Sequence, residues 1–121
     1  MTLPANVDVV RVRGYWYSQN GGGSGLPLTF TPQLPNLLDA TEHAWIKLSP
    51  KTATPDNATA YFFVDLIASN DPDLTPSRWR VSPDGQTAFT IEVPYDSDVA
   101  EVEPGVDMKT IWLTDATVTG P

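Results

Sequence analysis

AYFFVDLIASNDPDLTPSRWRV, residues 60–81, decides the fold. Its first part alternates. Phe62, Val64 and Leu66 share one face of an extended chain, and Tyr61, Phe63, Asp65 and Ile67 share the other. The next residues, SNDPDLTPS at 69–77, hold two prolines and three turn-forming Asn or Asp side chains, so they read as a turn. A second strand follows at 78–82, with Trp79 and Val81 on one side. Two strands that each offer an apolar face, joined by a proline-bearing turn, need other strands to cover them.

Reading outward from this unit supplies those strands. Residues 7–17 alternate strictly, with Val10, Val12 and Trp16 against Arg11, Arg13, Tyr15 and Tyr17. Gly14 in that run is expected to mark a bulge or bend. LPLTFTP at 26–32 gives a second strand, WIKL at 45–48 a third, residues 60–68 the fourth and 78–82 the fifth. Pro83-Asp84-Gly85 reads as a hairpin turn into a sixth strand at 86–93, with Phe89, Ile91 and Val93 inward. A last strand lies within 106–118, with Ile111 and Leu113 opposite Trp112. The segment 36–44 has room for one helical turn, and PKTATPDNAT at 50–59 reads as a turn region. About seven short strands with turn signals between them imply an all-β chain, a two-sheet antiparallel β-sandwich of immunoglobulin- or fibronectin-like type.

Composition agrees with one domain over residues 1–121, with 1–6 as an extended leader and 18–25 as a Gly-rich loop. The chain is 40% apolar with 12 prolines and 8 glycines, which supports a core of short strands and opposes long helices. It has 15 acidic against 7 basic residues, a net charge of −8. Such a surface repels phosphate backbones and anionic lipid, so neither nucleic acid nor a membrane is an expected partner. No apolar run is long enough for a membrane helix, and MTLPANVDVV lacks the pattern of a secretory signal. The absence of cysteine removes disulfides and thiolate chemistry.

Side chains that could carry chemistry do not form a constellation. His43 is the sole histidine and has no partner nucleophile or base in a recognisable motif. SQNGGGSG lacks the Lys-Ser/Thr pair of a phosphate loop and reads as a connection. Asp71 and Asp73 could ligate calcium together with Asp65, but the calcium-loop pattern is missing, and they are expected to accept turn amides. Asp96, Asp98, Glu101 and Glu103 cluster on one acidic loop, which does not oppose two carboxylates across a cleft as glycoside hydrolysis requires. That loop is expected to be solvated or to face a partner. No catalytic, cofactor-binding or metal residues are therefore assigned. The aromatic residues are more informative. Tyr15, Tyr17, Tyr61 and Phe63 fall on faces opposite the core residues, and Trp45 and Trp112 join them as interface candidates. Aromatic rings in such number mark a protein interface or a sugar-stacking platform, unless loops or the 36–44 segment cover them.

The order of these phrases resembles the small β-sandwich domain that opens many minor tail proteins and tail fibres of actinobacteriophages. The resemblance rests on VRVRGYWY at 10–17, LTFTP at 28–32, FFVDL at 62–66, NDPDLTP at 70–76, RWRV at 78–81 and FTIEVP at 89–94. It covers roughly residues 7–115, and its most specific element is the DPDL-x-P turn directly after an F-x-V-x-L strand. The chain departs at the first loop, which is longer and richer in glycine and carries Ser18 where the family has Asp. The resemblance implies a non-enzymatic virion component of the tail or tail tip, binding other virion proteins and assembling in several copies in a symmetric ring. A head decoration protein and a carbohydrate-binding module for host surface glycans are the alternatives.

Overall fold

Ten strands appear in the computed structural model, which describes residues 7–19, 21–23, 27–83, 88–95 and 98–120. They are β1 (Val9–Tyr15), β2 (Leu28–Pro32), β3 (Asn36–Asp39), β4 (Ala44–Lys47), β5 (Lys51–Ala53), β6 (Tyr61–Ile67), β7 (Trp79–Pro83), β8 (Phe89–Glu92), β9 (Thr110–Trp112) and β10 (Thr117–Gly120). The expected leader at 1–6, parts of the Gly-rich loop, the first residue of the 26–32 strand, Asp84-Gly85 of the hairpin turn, the first two residues of the 86–93 strand and Asp96 lie outside the described residues.

The chain is all-β. Each of the seven expected strands is present, and three more correct the count. The segment 36–44 is a β-hairpin with no helical turn. Leu37 and Asp39 are buried while Asn36 and Leu38 face out, a period of two that a helix could not satisfy. Asp39 Oδ1 accepts the Glu42 amide at 3.2 Å inside the connecting turn, and His43 closes that turn at φ 54°. Within the 50–59 run, β5 pairs with β2 and buries Ala53. The last expected strand is two strands. After β9 a 3-10 turn, Leu113–Asp115, buries Leu113, and the chain continues as β10 in the other sheet.

The strands form three sheets, whose strand order the sequence did not give. One has the order β6-β1-β9, with β1 antiparallel to β6 and parallel to β9. The second is antiparallel in the order β10-β8-β7-β2-β5, and β3-β4 forms a third, two-stranded sheet. Val10, Val12, Phe62, Val64 and Leu66 from the first sheet and Leu28, Phe30, Trp79, Val81 and Ile91 from the second belong to one buried cluster, the core of a β-sandwich. Leu37 and Ile46 of the hairpin join the same cluster. Each such large side chain removed from water contributes about 1.5–3 kcal/mol.

Gly14 causes neither bulge nor bend. It sits in unbroken register opposite Phe62, and a Cβ there would lie 3.2 Å from the Phe62 ring. The position is glycine because the ring occupies the space. The described part of the Gly-rich loop folds back on residues 55–58. Gly22 has φ 67°, and a Cβ on it would run into the Asn57 carbonyl oxygen. Gly23 donates its amide to that oxygen at 3.2 Å and forms a bridge with Tyr17.

The turn after β6 is architectural. Asp71 is buried, accepting the Asp73 amide at 2.9 Å and the Asp8 amide at 3.2 Å, so it ties the turn to the start of β1. Asp73 contributes its amide, and its side chain is exposed. Ser69 Oγ accepts the Val93 amide at 2.9 Å, and the Ser69 carbonyl accepts the Ser77 amide at 3.2 Å.

Candidate functional site

The outer face of the three-stranded sheet gathers most of the aromatic candidates. Alternation along β1 points Arg11, Arg13 and Tyr15 away from the core, because Val10 and Val12 point into it. Register brings Arg11 opposite Asp65, Arg13 opposite Phe63 and Tyr15 opposite Tyr61 on β6, and Arg13 opposite Trp112 on β9. Tyr17 follows just beyond β1, with its main chain held by the bridge to Gly23.

The rings contact one another. Tyr15 and Tyr17 lie nearly parallel at 6.0 Å between centroids, Tyr15 and Trp112 at 6.1 Å, and Tyr15 meets Tyr61 edge-on at 5.6 Å. Tyr61 and Phe63 are 6.4 Å apart. Two guanidinium groups also lie over rings of this face. Arg11 sits 4.2 Å from the Phe63 centroid and Arg13 sits 4.0 Å from that of Trp112. Tyr17 is 62% exposed and Tyr15 53%, while Tyr61 and Trp112 are half-buried.

Carboxylates pin the arginines. Arg11 donates to both oxygens of Asp65, at 2.8 and 3.2 Å, and to Glu103 at 3.2 Å. Arg13 pairs with Glu101. The Tyr61 hydroxyl donates to Glu103 at 2.8 Å. Burial pushes the Glu103 carboxyl up, but the hydrogen bonds from Tyr61 and Arg11 and the charges of Arg11 and Arg13 outweigh it and hold Glu103 below the ordinary carboxylate range. Burial, with the hydrogen bond to Glu103, raises the Tyr61 hydroxyl. The Asp65 hydrogen bond raises Arg11 above its usual value.

These contacts change the reading of the acidic loop. Glu101 and Glu103 are not merely solvated; they fold back onto β1, and the Val102–Lys109 bridge and the Thr110 amide bond to the Glu101 carbonyl, 2.9 Å, hold them there. Asp98 is exposed. The 101–103 segment therefore covers part of the aromatic face, a role the 36–44 segment does not take. Under it, Arg13 Nε and Thr110 Oγ1 are buried without a hydrogen-bond partner among the described residues.

Trp45 is elsewhere. It stands on the outer side of the β3–β4 hairpin opposite Leu38 and is 71% exposed. His43 is exposed in the turn of the same hairpin. A cavity of about 550 Å³ beside the 69–78 turn is lined by Ser69, Asp71, Arg78 and Glu92, but Asp71 and Ser69 are committed to main-chain amides. Among the described residues no three metal-ligating side chains come together.

Alternation alone placed Tyr15, Tyr61 and Phe63 on one surface. It did not show that Asp65, Glu101 and Glu103 belong there as partners of Arg11 and Arg13. Those contacts join residues 54 to 92 positions apart, so only the same-face spacing of the arginines hinted at them. Comparison with models of known families, with curated proteins and with solved structures gives no match.

Proposed function

We propose that the protein is a non-enzymatic structural component of a bacteriophage virion, a minor tail or tail-tip protein that assembles through protein–protein contacts. The observation that carries this reading is the exposed Tyr15–Tyr17 pair on a surface whose neighbouring rings and arginines are already fixed. Tyr, Trp and Arg are the side chains that concentrate binding energy in protein interfaces. Fixing them in advance lowers the entropy lost on docking. The tail-protein resemblance of the DPDL-x-P turn and its flanking strands supplies the particle context.

Sugar binding is the less favoured use of this face. A stacking platform needs free ring faces, whereas here Arg11 lies over Phe63 and Arg13 over Trp112. Mass spectrometry of gradient-purified particles, with image reconstruction to locate the domain, tests the proposal. The protein is expected in stoichiometric multiples in the tail. Finding it free in infected cells and absent from purified particles would sink the reading.

A further inference from the structure

We infer that the two exposed aromatic patches of this chain meet each other in successive copies. The Leu38–Trp45–Lys47 face of the β3–β4 hairpin docks on the Tyr15–Tyr17 end of the three-stranded sheet of a second copy. The inference rests on the assembly reading above and names the partner.

The patches lie at opposite ends of the β1–β6 pair. Tyr15 faces Tyr61 at one end, and Val9 faces Ile67 at the other. Ile46 of β4 shares a small cavity of about 180 Å³ with Val9 and Ile67, so the hairpin belongs to that second end. The seven residues of β1 separate the ends by roughly 20 Å. Different patches at opposite ends give a head-to-tail contact, which repeats from copy to copy and closes into a ring or continues as a filament.

Charge selects this pairing. The chain carries −8, so two copies repel except where charges match locally. The aromatic face holds Asp65, Glu101 and Glu103 against Arg11 and Arg13, and the Glu101 side chain remains 47% exposed. Meeting its own image would set carboxylate against carboxylate. The hairpin face offers the opposite sign. Lys47 is on the same side of β4 as Trp45 and borders the small cavity beside Asp65, and its ammonium has no ion pair or hydrogen bond among the described residues. The spacing also matches. Lys47 is two strand positions from Trp45, and Arg13, which holds Glu101, is two from Tyr15. A tryptophan set on the tyrosines thereby brings the free ammonium to the exposed carboxylate.

Sedimentation velocity of the full chain over a concentration series tests this, with circular dichroism as the folding control. The wild type is expected to pass from monomer to species larger than dimer. Trp45→Ala and Tyr17→Glu, both at exposed positions, are each expected to weaken association by at least about tenfold. Leu38→Lys tests the hairpin face independently of Trp45. Lys47→Glu is expected to weaken association and to flatten its salt dependence. Mixing Trp45→Ala with Tyr17→Glu is expected to give a one-to-one dimer and nothing larger, since each variant keeps one intact patch. A wild type that stays monomeric up to about millimolar concentration, a Lys47→Glu protein that assembles as tightly as wild type, or a mixture without dimer overturns the inference. None of these results depends on whether the protein is found in particles.

Discussion

The indole Nε1 of Trp79 donates to the main-chain carbonyl of Ile67 at 3.0 Å, and this bond crosses the sandwich. Trp79 belongs to β7 in the five-stranded sheet, and Ile67 ends β6 in the three-stranded sheet. The indole is 2% exposed, so neither partner has water as a substitute. Trp79→Phe is expected to destabilise the protein by about 2–4 kcal/mol, combining a smaller side chain with an unsatisfied buried carbonyl. Urea denaturation followed by circular dichroism measures this. A loss below about 1 kcal/mol would show that the bond does not join the sheets energetically.

Gly14 and Phe62 form a second steric pair. Gly14→Ala puts a methyl carbon 3.2 Å from the Phe62 ring and is expected to cost about 1–3 kcal/mol. Phe62→Leu costs stability alone by loss of buried volume, but it makes room for the methyl. The double variant is therefore expected to lose less than the two single losses added together. Strict additivity in a double-mutant cycle would contradict the steric account.

Arg11 pairs with Asp65 and Glu103 at once and lies over Phe63. Arg11→Met removes the cation and leaves two carboxylates on a partly buried surface. The expected loss is about 1–3 kcal/mol at neutral pH, shrinking when Glu103→Gln is added. The same denaturation series measures both.

Glu103 makes stability depend on acid. Its folded value lies below the ordinary carboxylate range, so its contribution is complete above the unfolded value. That contribution is lost as pH falls through the folded value, in the window below about pH 4.3. Glu103→Gln keeps an acceptor for the Tyr61 hydroxyl but cannot titrate. Urea midpoints from pH 7 to pH 3 are expected to fall less steeply in the variant than in the wild type. Parallel curves would show that Glu103 carries no coupled proton.

Strand by strand, alternation was legible where a whole face is apolar. Val10 and Val12 of β1, Phe62, Val64 and Leu66 of β6, and Trp79 and Val81 of β7 are buried as their spacing implies. β3 and β5 were not legible, because strands of four and three residues repeat the period too few times to outweigh nearby Pro, Asn and Asp. The break between β9 and β10 was hidden for a different reason. Leu113 continues an apolar pattern in the sequence, yet the chain turns there to change sheets.

For the aromatic face, sequence alone determined which rings point away from the core, since side-chain direction in a strand is local. It placed Tyr15, Tyr17, Tyr61 and Phe63 correctly and grouped Trp45 with them by type. Only the tertiary structure decided that, of the two tryptophans grouped with them, Trp112 lies beside these rings and Trp45 stands at the other end, and that Glu101 and Glu103 return to hold Arg13 and Arg11. Strand register and long-range ion pairs depend on which strands become neighbours. That choice is made by burial of the whole core, and no short stretch of the chain encodes it.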